Sequence, residues 1–139
     1  AWERGLRFAQ IDSLIGDQIE GKNVVVIRLG ENVSDNNRFE QALDSLVGYC
    51  TDRSDKVVLT GCFWEDFQKE LSIINVSRKR KVHYVPLFWI DKFYDARLSV
   101  GEQLLDTSGN AYIVTKEFIV SHPNDLGHKM IAEEILKAL

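Results

Sequence analysis

Asn23-Val24-Val25-Val26-Ile27-Arg28-Leu29 is the stretch on which the fold turns. It is a nearly continuous β-branched run, the mark of a strand in a parallel sheet covered on both faces. The segments around it change period. Upstream, Phe8, Ile11, Leu14, Ile15 and Ile19 recur at helical spacing and stop at Gly21, a good helix terminator. Downstream, Ser34 or Asp35 is placed to cap a second helix, whose apolar stripe is Phe39, Ala42, Leu43, Leu46, Val47 and Cys50.

The alternation continues. Lys56 to Gly61 reads as the next strand, and a helix follows from about Glu65 to Arg78 with Phe67, Leu71, Ile73 and Ile74 inward. Lys81 to Leu87 reads as a third strand that Pro86 ends, because proline cannot donate to a ladder. Asp125 to Leu139 predicts a last helix with Leu126, Met130, Ile131, Ile135 and Leu139 on one face. Between Phe88 and Ser121 the pattern is weak, with a short strand expected only at Tyr112 to Val114. A connection that long inside a compact domain is usually functional. The sum predicts one α/β domain over residues 1–139, a parallel sheet with helices on both faces.

Composition narrows the function classes. At 139 residues and 45% apolar, the chain has enough to build a core, so wholesale disorder is excluded. Seventeen basic against 21 acidic side chains give a net charge of -4, which argues against nucleic acid as a partner. The run Arg78-Lys79-Arg80-Lys81 reads as a solvated helix end. No apolar stretch approaches the ~18 residues of a membrane span. The start, Ala1-Trp2-Glu3-Arg4, is not built like a signal peptide, and without an initiator methionine the chain is expected to begin inside a longer product. Cys50 and Cys62 sit in apolar stretches and read as reduced, buried thiols. No tight His/Asp/Cys spacing calls for a metal, and no glycine-rich phosphate loop calls for a nucleotide, so no cofactor is expected.

In an open parallel sheet, ligands bind beyond the carboxyl ends of the strands. Two segments fall there. Arg28-Leu29-Gly30-Glu31-Asn32-Val33 leaves the first strand, and Ser121-His122-Pro123-Asn124-Asp125 enters the last helix. Asn32 either turns the loop before the second helix or aims its amide at a developing oxyanion. His122, ahead of a proline and beside the positive end of a helix, is either a surface turn residue or a general base for a hydroxyl nucleophile. His83, within a strand, and His128, inside the last helix, read as structural. Asp125 and His128 stand at helical i,i+3 spacing, which describes either an acid-base pair or a surface hydrogen bond.

These blocks resemble a family. Val24-Val25-Val26-Ile27-Arg28-Leu29-Gly30-Glu31-Asn32 is similar to the strand and Gly-x-Asn block of the SGNH (GDSL-type) hydrolases. His122-Pro123-Asn124-Asp125-Leu126-Gly127-His128 resembles their final block, in which the catalytic histidine precedes Pro-Asn and a closing helix. Trp2-Glu3-Arg4 before an amphipathic helix, and Gly61-Cys62-Phe63-Trp64 after the second strand, fit the same impression. The resemblance implies a flavodoxin-like three-layer α/β/α domain that hydrolyses carboxylic esters through a serine, and family habit suggests a carbohydrate O-acetylesterase. Within it, Asn32 and Gly30 belong to the oxyanion hole and His122 is the base. By family analogy the setting is secreted or periplasmic.

The chain departs from the family in three places. No Gly-Asp-Ser block is present, and Asp12-Ser13-Leu14 is no substitute, since it lies in a helical stripe too close to Asn32 for the intervening strands. The glycine of the second block has no counterpart. The acid normally found three residues before the histidine is replaced by Ile119, so His122 is oriented either by a backbone carbonyl, as in a Ser-His dyad, or by an acid from elsewhere, with Glu117 and Asp125 as candidates. The nucleophile and the first strands of the family fold are therefore expected upstream, and the chain alone is expected to be inactive. Missing its neighbour, the strand at 23–29 becomes an exposed edge, expected to self-associate or to pair with the missing amino-terminal segment. The alternative reading is a non-catalytic flavodoxin-like binding domain.

Overall fold

The computed structural model describes residues 8–31, 33, 36–105, 108–117, 120 and 122–139. Four helices are present among them: α1 (Phe8–Ile19), α2 (Asn36–Thr51), α3 (Phe67–Arg80) and α4 (Asp125–Lys137). Strands β1 (Lys22–Ile27), β2 (Ser54–Thr60) and β3 (His83–Val85) form a parallel sheet in that order. A second, antiparallel pair joins β4 (Gln103–Leu105) to β5 (Ala111–Ile113). The chain is thus mixed α/β, with each sheet strand linked to the next by a helix, as parallel pairing requires.

Alternation along the strands sorts the core into two halves. Ile27, Val57 and Leu59 face α1, α2 and α3, packing with Ile11, Phe39, Leu43, Val47, Ile73 and Val76. Val58 and Val85 face the other way, against Ile131 of α4 and Ala138 just past its end, and against Phe63, Leu87, Ile90 and Ala96. Each such fully buried apolar side chain stabilises the fold by about 1.5–3 kcal/mol. Lys56 anchors the end of α4, its ammonium donating to the Leu139 carbonyl at 2.9 Å.

Several expectations need correction. The β1 run is not covered on both faces: Val25 packs inward and Ile27 is buried, whereas Val24 and Val26 are 38% and 41% exposed. The reason is position. Among the described residues β1 ends the strand order, and the apolar residues of α4 pack with Val58 of β2 and Val85 of β3. Arg28 and Leu29 lie beyond its ladder, and β3 spans three residues rather than the whole of Lys81 to Leu87. In α3 the expected inward residues Phe67 and Leu71 are exposed, while Ile73 is buried and Ile74 half-buried.

The buried stripe of α3 is Lys69, Glu70, Ile73, Val76 and Ser77, two of them charged and both satisfied. Asp66 caps the helix by accepting from the Lys69 N–H at 3.1 Å and pairs with the Lys69 ammonium at 2.7 Å. Glu70 accepts from the Cys62 N–H and from the Tyr84 hydroxyl. Leu126 of α4 is exposed, and so is Leu139, which lies past the end of the helix; Ile131 is the buried member of the expected face, with Met130 and Ile135 packed beside it. The basic run at 78–81 does close α3: Lys79 and Arg80 pair with Asp44, and Lys81 takes a left-handed conformation at φ 57°. Strand β4 was not anticipated, and β5 begins one residue before Tyr112. The caps expected at Ser34 and Asp35, and the Trp2-Glu3-Arg4 lead-in, lie outside the described residues.

Candidate active site

Beyond β1 the chain makes a tight turn. Gly30 is buried at φ 130°, and a Cβ there would stand 3.1 Å from Cys62 Sγ and 3.2 Å from Phe39 Cζ. Only glycine meets both demands. The Val33 N–H closes the turn on the Gly30 carbonyl at 3.1 Å. Glu31 fastens it sideways, its Oε1 accepting from the Phe63 N–H at 2.8 Å and from Arg28 Nη2 at 2.9 Å. Asn32 lies outside the described residues.

Beyond β2 the segment Gly61-Cys62-Phe63-Trp64 crosses the crest of the sheet. The Gly61 N–H donates to the Val85 carbonyl at 2.9 Å, and a Cβ on Gly61 would overlap the Glu70 carboxylate. Burial raises the Cys62 thiol to about 12 and that of Cys50 to about 11. Burial thus favours the neutral thiol over the thiolate, the nucleophilic form, at both positions. Burial, aided by the hydrogen bond to Glu70, also drives the Tyr84 phenol well above its ordinary value.

His122 is exposed at the mouth of this crest. Its imidazole meets the Trp64 indole edge-on, with ring centroids 5.6 Å apart and planes at 67°. The backbone on either side is firmly held. The His122 carbonyl accepts from the Leu98 N–H at 3.0 Å, and Pro123 bridges to Arg97. Asn124 caps α4, its Oδ1 accepting from the Gly127 N–H at 3.0 Å while its Nδ2 donates to the Asp95 and Arg97 carbonyls, each at 2.8 Å.

A cleft of about 700 Å³ opens beside the imidazole, its walls including His122, Asp125, His128, Glu102, Leu104 and Tyr112. Of the two acids weighed for His122, Asp125 shares this wall; Glu117, exposed on the segment after β5, does not. His128 faces the cleft from α4, and His83 is exposed on β3. Ser13 sits exposed in the middle of α1. Among the described residues no cluster of three or more His, Cys, Asp or Glu side chains is placed to hold a metal ion.

The Gly30–Glu31 turn and His122 therefore reach the two residues of one dipeptide, Phe63-Trp64, at the carboxyl end of the parallel sheet. The walls of the cleft beside His122 do not include Gly30 or Glu31, so what the two segments share is this dipeptide and not that cleft. Sequence reasoning missed Glu31 as a clamp and the hairpin wall of the cleft. The chain matches no protein-family model and no curated protein.

Proposed function

We propose that the chain carries the oxyanion-hole turn and the general base of a serine carboxylic-ester hydrolase of the SGNH type, with the nucleophile contributed by residues outside it. What supports this reading most is the meeting of the Gly30–Glu31 turn and His122 across Phe63-Trp64. In this reading β1, β2 and β3 are part of a flavodoxin-like sheet, and a serine arrives beside β1. His122 takes the serine proton as the oxygen attacks the ester carbonyl, then returns it to the departing alcohol. Gly30 and Asn32 donate hydrogen bonds to the carbonyl oxygen as it becomes negative. Water, activated by the same imidazole, releases the acyl group. The substrate proposed is an acetylated carbohydrate, for which the exposed rings of Phe93 and Tyr94 offer stacking faces.

The test is hydrolysis of p-nitrophenyl acetate and of acetylated sugars by the polypeptide that includes the nucleophile, with fluorophosphonate labelling of the serine. His122→Ala is expected to lower kcat by roughly 10²–10⁴-fold, and Asn32→Ala by on the order of 10²–10³-fold. The 139-residue chain alone should turn over no faster than free imidazole. Full activity in His122→Ala overturns the reading and leaves a non-catalytic binding domain in its place.

A further inference from the structure

We infer that Glu31 is a positioning residue that holds both halves of the site with one carboxylate. Its Oε1 accepts from the Phe63 N–H across 32 positions of sequence, and the same oxygen pairs with Arg28 at the end of β1. On one side of that oxygen lies the turn that begins at buried Gly30. Glu31 precedes Asn32 directly, and Val33 follows it with its N–H tied to the Gly30 carbonyl. On the other side lies Phe63, whose neighbour Trp64 packs against the His122 imidazole.

The Glu31 side chain is only 19% exposed, so its hydrogen bonds are shielded from competing water. Phe63 is fully buried and cannot follow the turn if the clamp lets go. Releasing the carboxylate therefore leaves the turn and the Phe63-Trp64 crest joined by the packing of Gly30 on Cys62 alone, and the spacing between the Gly30 turn and the base is less tightly set. Displacements of about 1 Å at such a site cost catalysis heavily. The catalytic half of this inference rests on the ester-hydrolase reading above; the clamp itself does not.

Two measurements separate these halves. The first is NMR of the 139-residue chain, reading the Phe63 amide proton and the ring-current shift that Trp64 imposes on the His122 ring protons. Glu31→Ala is expected to shift both toward unstructured values, and Glu31→Gln, which keeps an acceptor oxygen, to preserve both. If Glu31→Ala does not fold, Glu31→Asp supplies the same comparison, its carboxylate being one methylene short. Unchanged Phe63 and His122 resonances in a folded Glu31→Ala or Glu31→Asp chain overturn the clamp.

The second is steady-state kinetics of the nucleophile-containing polypeptide. Glu31→Ala is expected to lower kcat by on the order of 100-fold, with KM within about threefold. Glu31→Gln should recover most of the loss, a rescue that a general weakening of the fold does not produce. An unchanged kcat in Glu31→Ala overturns the positioning role. Inactivity of the parent polypeptide overturns the ester-hydrolase reading and the positioning role with it, and leaves the clamp to the NMR result.

Discussion

The Trp64 indole stands edge-on to the His122 imidazole, ring centroids 5.6 Å apart, and is the contact through which the crest beyond β2 reaches the loop ahead of α4. Trp64 also packs on the α4 half of the core. Trp64→Leu is expected to destabilise the chain by about 1–2 kcal/mol, combining lost apolar burial with the aromatic contact. Trp64→Phe should recover part of that. Urea unfolding followed by circular dichroism checks the order of the three proteins.

Gly30 tolerates no side chain. An alanine there must hold φ 130° with its Cβ pressed on Cys62 and Phe39. Gly30→Ala is expected to cost about 2–4 kcal/mol, from backbone strain plus overpacking. By contrast Gly109→Ala, at φ 83° with open space around it, carries the strain without the crowding and should cost less. Equilibrium unfolding of both variants tests the difference.

Asp44 receives hydrogen bonds from Arg80 and Lys79, and the Arg80 guanidinium above all holds its carboxyl down to about 2. A carboxylate depressed in the folded state contributes stability that is present in full above its unfolded value near 4. That stability is lost as pH falls from 4 through 2. Because Lys79 is exposed and solvent screens the pair, the contribution is discounted to about 1 kcal/mol. Asp44→Asn should lower the melting temperature at pH 7 and make little difference at pH 2, as thermal melts at the two pH values will show.

Among the described residues β1 has a strand on one side only, and its other edge stands beside the exposed side chains of Val24 and Val26. Such edges recruit other strands. The isolated chain is expected to sediment with a concentration-dependent mass, and Val26→Lys should return it to a monomer. Because that side chain is already partly in water, the change should alter stability by no more than about 0.5 kcal/mol. A mass independent of dilution in the unaltered chain counts against the edge as a docking strand.

Much of this architecture was legible in advance, and for identifiable reasons. The α2 stripe of Phe39, Leu43, Leu46, Val47 and Cys50 is uninterrupted and is buried as expected. The β-branched run is a strand, although its period-two exposure could not be read from four apolar residues in a row. In α3 the inward stripe includes Lys69 and Glu70, whose charges are offset by Asp66, Cys62 and Tyr84. Hydropathy therefore pointed to Phe67 and Leu71 on the wrong side. The placement of the Gly30 turn and His122 at one end of the sheet follows from strand order. Glu31 was invisible because its long-range partner is a main-chain N–H, which every residue but proline carries and no motif records.

The same logic bears on the joint at the head of α4. The Asn124 side chain grips two carbonyls, at Asp95 and Arg97, and one amide, at Gly127, all of them backbone atoms. Replacing the side chains of Asp95 or Arg97 leaves those three bonds available, so substitution there can drift without loosening the hinge-pin under His122. The side-chain share of the attachment comes from a single amide group: aspartate at position 124 would keep the grip on Gly127 and drop both carbonyls, leaving the main-chain bonds from Leu98 to the His122 carbonyl and from Asn124 to the Ala96 carbonyl to hold the loop.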